Sequence, residues 1–270
     1  MMRSVRSLFG RKPRTPAAPG VRNAPAARDC PRPERPTYLI GDVHGRCDLL
    51  ELILGLVDAH VGGSGSNDPF LVFVGDYVDH GPESAETLAR LRELTRDYPR
   101  NVICLMGNHE RMLLDFLDDP VTRGPRWLRA GGAATLHSFH VDPAPLQDGG
   151  QPEDFRAAAI DLGRAMPEGL REWLSARPLS WRSGNVWAVH AGADPAHAME
   201  AQAARVLLWG HPDFEAVPRA DETWVVHGHV EMERPVYEEG RIALDTGAWR
   251  TGRLTACALR PDGRHDFLQT

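Results

Sequence analysis

Cysteine is scarce in this chain: four residues in 270, at Cys30, Cys47, Cys104 and Cys257. They show neither Cys-x-x-Cys spacing nor the density of a disulfide framework, which excludes a cysteine-stapled scaffold and predicts a reduced, cytoplasmic setting. Long hydrophobic runs are also missing. The longest, residues 49–57, is interrupted by Glu51 and Gly55, far short of the ~20 apolar residues that span a bilayer. Residues 2–9 offer only Val5, Leu8 and Phe9 as apolar anchors, too few for a secretory leader. The glycine-rich stretch 62–67 has no Gly-Lys-Ser after it, so it reads as a flexible surface loop and not a phosphate-binding loop.

Charge is unevenly spread. Residues 1–36 hold nine Lys/Arg against Asp29 and Glu34, a net of +7, together with seven prolines; since the whole chain carries −6, the remainder carries −13. A Pro- and Arg-rich stretch with little apolar content cannot build a core, so 1–36 is expected to be a disordered tail, most simply a spacer. Weak attraction to anionic lipid, nucleic acid or acidic partners is its functional alternative. No specific nucleic-acid binding is expected. Residues 37–270, with 42% hydrophobic content overall, suffice for one catalytic domain.

What the chain does contain is a repeated grammar. Short apolar runs at 38–40, 70–74 and 102–106 each lead into a loop of glycines and polar ligand types: Gly41-Asp42-Val43-His44-Gly45, Gly75-Asp76-Tyr77-Val78-Asp79 and Gly107-Asn108-His109-Glu110. His190-Ala191-Gly192 and Gly228-His229 follow further on. A buried strand running into a ligand-bearing loop places those side chains at the carboxyl ends of neighbouring strands, where open α/β sheets bind their ligands. Carboxylate, imidazole and amide oxygen together suit transition metals better than calcium. Phosphoester hydrolysis needs a strong nucleophile at neutral pH, neutralised phosphate oxygens and a proton for the leaving oxygen. Two divalent cations about 3.5–4 Å apart supply the first two. Such a pair needs a bridging carboxylate, for which Asp76 is the natural candidate.

These clusters resemble those of the phosphoprotein phosphatase family, within the calcineurin-like metallophosphoesterases. The bacterial and phage branch, which also holds symmetric diadenosine tetraphosphate hydrolases, is the most similar. The resemblance covers roughly residues 37–260. It implies two divalent metal ions per chain, manganese first and iron or zinc as alternatives. Asp42 and His44 would hold one, Asn108, His190 and His229 the other, with Asp76 between them. It implies His109 as general acid, oriented by Asp79 in an Asp–His pair. Of the two histidines in Val226-His227-Gly228-His229-Val230, the family pattern selects His229. Two positions depart from it: His80 and His211 stand where the family carries phosphate-gripping arginines. Histidine offers one donor per nitrogen and is only partly charged at neutral pH. His80, His211 and Arg111 are the candidate phosphate contacts, with Arg250 as a partial substitute.

Helical spacing of apolar residues predicts helices over 47–60 and 84–98, and another starting at Asn108. Residues 124–180 read as mostly helical, with a loop near 141–152; Trp127, Arg129, Phe139 and Trp173 are expected to face the substrate. Strands are predicted at 185–190, 223–227, 234–245 and 253–259. The result is an α/β fold of two mixed β-sheets flanked by helices, the α/β/β/α sandwich that the resemblance also implies. The expected function is a metal-dependent phosphomonoesterase, first a serine/threonine protein phosphatase. The alternatives are a dinucleoside tetraphosphatase or other small-molecule phosphoesterase, and a weakly active phosphoprotein-binding regulator. A phosphoprotein or small phosphoester is the expected partner. No nucleophilic Cys or Ser sits in the motifs, so no covalent phosphoenzyme is expected.

Overall fold

The computed structural model describes residues 30–64, 68–146, 149–238 and 240–270. Among these, ten strands form two five-stranded sheets. The first has the order β10-β9-β1-β2-β3, with β1 (Thr37–Ile40), β2 (Phe70–Phe73), β3 (Val102–Cys104), β9 (Thr255–Leu259) and β10 (His265–Gln269). Its β1, β2 and β3 are parallel, while β9 and β10 run antiparallel. The second has the order β4-β5-β6-β8-β7, with β4 (Ser180–Ser183), β5 (Val186–Val189), β6 (Trp224–His227), β7 (Val236–Glu238) and β8 (Arg241–Ala243). Here β5, β6 and β8 are parallel, with β4 and β7 as antiparallel edges.

Alternation along each strand explains why these segments are apolar on both faces. Leu39 and Val72 point into the core between the sheets with Val186, Ala188, Val226 and Ile242. Their neighbours Tyr38, Ile40, Leu71 and Phe73 point the other way, onto the helical layer. That layer contains α1 (Cys47–Ser64), α2 (Ser84–Asp97), α3 (Asn108–Asp118), α4 (Pro120–Trp127), α5 (Ala133–Ser138), α6 (Pro152–Ala165) and α7 (Leu170–Ser175). On the outer face of the second sheet, Trp187, Val189 and Val225 pack with Met199, Leu207 and Phe214, next to α8 (Ala204–Trp209). A short α9 (Ala248–Thr251) precedes β9. The two-sheet sandwich is therefore as predicted.

Four expectations need correction. α1 runs on to Ser64, so part of the expected 62–67 loop is helix; residues 65–67 lie outside the described residues. The strand predicted over 234–245 is a hairpin, β7 and β8, turning at Gly240 with φ 78°. Residues 30–36, taken with the tail, pack on the domain: Cys30 is buried, the Arg32 amide donates to Asn185 Oδ1 at 2.6 Å and the Glu34 amide to Ser183 Oγ at 2.9 Å. The tail expectation for 1–29 lies outside the described residues. Finally, Trp127 and Phe139 are buried and do not face a substrate.

Candidate active site

The loops that follow β1, β2, β3, β5 and β6 converge at one end of the two sheets. Their backbone is strained there. Of the seven described non-glycine residues with positive φ, five belong to this place: His44, Asp76, Asp79, His80 and His229. Such conformations persist where the surroundings over-determine them. Glycines give the side chains room: a Cβ on Gly228 would overlap Asp42 Oδ1, and one on Gly107 would overlap Asp76 Oδ1.

Three groups of candidate ligand atoms result, each within 4.8 Å: His44, His80 and His109, and two that meet at Asp76, namely Asp42, His44 and Asp76, and Asp76, His190 and His229. Asn108 Oδ1 lies 2.7 Å from His190 Nε2 and 3.0 Å from His229 Nδ1, inside the last group. The ring nitrogens facing away are engaged: His44 Nδ1 is 2.8 Å from the Val78 carbonyl and His190 Nδ1 3.1 Å from that of Val74. Such bonds fix the tautomer and leave Nε2 free for a cation. Burial holds His44 down to about 3 and His229 down to about 4, the neutral form that ligation requires.

The acids carry the complementary signature. Asp42 is 1% exposed, and its Oδ1 has no hydrogen-bond partner. Burial, with the nearby Asp245 and Asp76 charges, pushes Asp42 well above the usual carboxylate range. Burial opposes ionisation of Asp76 too, but His190 and His109 pull it well below that range. An orphaned carboxylate oxygen among buried acids, beside the neutral imidazoles of His44 and His229, fits a divalent cation. Asp245 accepts the Gly247 amide at 2.8 Å and is raised to about 6, chiefly by burial.

His109 stands beside this cluster. Its Nδ1 is 2.7 Å from Asp79 Oδ2, and its Nε2 is 3.8 Å from Asp76 Oδ2. Burial works against its charge, yet Asp76 and the Asp79 hydrogen bond outweigh it and raise His109 to about 9. Asp79 is itself held from the helical insert: Thr135 Oγ1 donates to it at 2.6 Å and Trp127 Nε1 at 3.0 Å. The insert thus orients the carboxylate where sequence placed a substrate wall. Glu110, part of the third loop but given no role from sequence, is fully buried and accepts amides of Asp76 (2.9 Å), Tyr77 (2.7 Å), Val78 (3.3 Å) and Gly107 (2.9 Å). Its signal in the sequence is a glutamate at the third position of a helix that opens after glycine.

The three candidate phosphate contacts separate. His80 lies in the site, with ring centroids 5.0 Å from His44 and 5.4 Å from His109. Its ring packs on Gly131 and stacks on Trp249 at 4.6 Å and 19°. Burial, then the His109 charge, lowers its pKa, which favours the neutral ring. Trp249 is held by Nε1 donating to Glu231 at 2.9 Å, and Glu231 also takes Arg250 at 2.6 Å. His211 instead faces Asp194 at 3.7 Å, and Arg111 lies along α3 on Asp115 at 2.6 Å. No described contact joins either to the cluster. His227 is buried against Phe214 and bonded to the Gly228 carbonyl at 3.0 Å, outside all three ligand groups. Cys47, beside the first loop, is pushed up to about 11 by burial and Glu83, so it is an unreactive thiol.

Among the described residues no helix is long and apolar enough to cross a membrane. The sequence is 25% identical, over 80% of this chain and 86% of the relative, to an asymmetrical bis(5'-nucleosyl)-tetraphosphatase of Bacillus velezensis. A PP2A-like serine/threonine phosphatase of Candida albicans is 41% identical over only 28% of this chain and 17% of its own length. The fold is shared with the crystal structure of a proposed diadenosine tetraphosphatase, at a TM-score of 0.59 and 21% identity over 88% of this chain and 95% of that one. A serine/threonine phosphatase structure from Saccharomyces cerevisiae has a TM-score of 0.51 at 16% identity, covering 88% of this chain and 80% of that one. The family profile described as calcineurin-like phosphoesterase matches residues 35–246, almost four fifths of the chain, and takes in all five candidate ligand-bearing loops. The chain belongs to the calcineurin-like phosphoesterases and is a metallophosphoesterase.

Proposed function

We propose that this metallophosphoesterase acts on dinucleoside polyphosphates or related nucleotides, with Asp42, His44, Asp76, Asn108, His190 and His229 holding two divalent cations and His109 serving as general acid. Cations held there polarise phosphoryl oxygens and lower the pKa of water. The protein's own groups do the rest. Asp79 fixes the His109 ring and keeps its proton at neutral pH, so that Nε2 can give it to the leaving oxygen. Glu110 clamps the amides of 76–78 and so fixes where Asp76 stands.

The observation that carries the substrate class is Trp249, stacked on His80 next to the His44 and His109 rings. An aromatic face at that place suits a nucleobase. The relative that aligns along most of the chain bears a nucleosyl-tetraphosphatase name, which supports the same reading. Phosphoserine and phosphothreonine are the second reading, supported by the short but more identical matches to protein phosphatases. The test is turnover on diadenosine tetraphosphate, a phosphoserine peptide and an aryl phosphate, with manganese added. Base–aromatic stacking is worth about 1–3 kcal/mol, so Trp249→Ala is expected to lower kcat/KM for the dinucleotide about tenfold and leave the peptide unchanged. A phosphopeptide preferred over the dinucleotide, with Trp249→Ala neutral on both, would overturn the nucleotide reading.

A further inference from the structure

Away from the ligand cluster, the second half of α2, the entry to β3 and the region around α7 line an open cavity of about 720 Å³. No candidate metal ligand and neither His109 nor Asp79 lines it. Its size falls within the range of small-molecule sites, which are mostly apolar with a few convergent polar groups. The apolar part includes Leu170 and Trp173, and the cationic part is Arg92, Arg96 and Arg177.

The polar side chains of this cavity are fixed in a way that leaves positive charge facing inward. Glu93, the one carboxylate in the lining, is taken by Arg90 at 2.7 Å. The Trp173 indole is oriented by Nε1 donating to Thr95 Oγ1 at 2.9 Å. Arg177 donates through Nε to the Trp173 carbonyl at 2.7 Å, and its guanidinium lies 4.5 Å from the centre of the Trp173 ring. Arg92 donates through Nη2 to the Glu168 carbonyl at 2.8 Å. Gly169, at φ 74°, leaves space for that reach, since a Cβ there would come within 2.7 Å of Arg92 Nη2. Among the described residues neither Arg92 nor Arg177 has a carboxylate partner. Both are half-buried. Two guanidinium groups without a counter-charge stand out in a chain whose residues 37–270 carry a net −13. The segment before them is itself basic, of the wrong sign to neutralise them.

We infer that this cavity binds a small organic anion: a flat, apolar body against Trp173 and Leu170, with a phosphate or carboxylate group on Arg92 and Arg177. Arginine's planar fork matches either oxyanion with two parallel hydrogen bonds, and the aromatic wall accepts a planar body. The site is independent of the phosphoester reading, because it shares no residue with the ligand cluster.

The test titrates the full chain with 8-anilinonaphthalene-1-sulfonate, an aromatic anion whose fluorescence rises on binding, and then competes it with AMP and with benzoate. Saturable binding is expected, weakened at least tenfold in Arg92→Ala and in Arg177→Ala, partly recovered in Arg92→Lys, and retained in Asp76→Asn. Displacement by AMP assigns the phosphate, displacement by benzoate the carboxylate. Should Arg177→Ala not fold, Arg92→Ala carries the comparison, since its described hydrogen bond is to a single carbonyl. Unchanged affinity in the folded arginine variants, binding lost in Asp76→Asn, or displacement by neither competitor would overturn the site.

Discussion

His109 shows how one residue's surroundings set its chemistry. The ring is buried, which by itself disfavours a proton, yet Asp76 and Asp79 hold it protonated up to about 9. In the proposed role of general acid, its removal should cost turnover and spare metal binding. A group in that role is worth about 10²–10⁴-fold. His109→Asn is therefore expected to lose that much on an alkyl phosphate and less on an aryl phosphate, whose leaving group needs the proton less, with metal content by elemental analysis unchanged. The same residue gives a pH dependence. Its folded pKa stands above the unfolded value of about 6.5, so the folded state keeps a proton that the unfolded chain releases. Stability from this source is full below about 6.5 and is lost as pH rises through about 9. Glu110, raised to about 7 chiefly by burial and Asp76, acts in the same direction at the lower edge of that window. The depressed histidines His44, His227 and His229 titrate below 6.5 and leave it clear. In chelator-treated protein the melting temperature is expected to fall between pH 7 and 9. Burial opposes a proton on His190, but Asp76 outweighs it and holds His190 above its ordinary value. It acts in the same direction, so His109→Asn is expected to reduce that slope in part.

At the scale of elements, the apolar runs before the ligand loops were readable as strands because each must cover two faces, one toward the opposite sheet and one toward the helices. The 234–245 segment was not readable as a hairpin: alternation continues through it, and only the left-handed turn at Gly240 breaks the pairing. Glu110 escaped notice for a related reason. Its partners are backbone amides of a loop more than thirty residues earlier, which no local pattern announces. It joins the start of α3 to the loop after β2, and its loss would leave several buried amides unpaired at about 1–3 kcal/mol each. Glu110→Ala is expected to destabilise the protein by about 3 kcal/mol or more, read as the midpoint of urea unfolding. Glu110→Gln keeps one acceptor oxygen but turns its NH2 donor against the other pair of amides, so it should lose at least half as much. A loss close to zero in Glu110→Gln would show that these amides do not depend on two acceptor oxygens.

For the whole molecule, the boundary of the domain differs from the one that composition suggested. Residues 30–36 share the Pro/Arg bias of the preceding segment, but they lie along the second sheet, where Asn185 and Ser183 accept their amides and Cys30 fills a space beside Gly263. Deleting residues 1–29 is expected to leave the melting temperature and hydrolysis of an aryl phosphate unchanged. Deleting 1–36 should lower the melting temperature by several degrees, since two amide hydrogen bonds at about 1 kcal/mol each and the buried Cys30, Pro31 and Pro33 go with it. Differential scanning calorimetry of the two truncations separates these outcomes.

Read without a structure, the chain already determines its α/β class, its two sheets and the loops that carry the chemistry, because strand periodicity and ligand-bearing glycine turns are local properties of sequence. The choice of His229 over His227 was reached through family pattern; in the fold His229 reaches Asn108 while His227 turns into the core behind it. What only the tertiary structure decided are the long-range partners: Trp127 and Thr135 on Asp79, Glu110 on the 76–78 amides, Trp249 on His80, and the separation of His211 and Arg111 from the site. These pairs join residues 30 to 170 positions apart or turn on side-chain direction. Neither composition nor spacing encodes that, because it arises when two sheets and their helices close on one another.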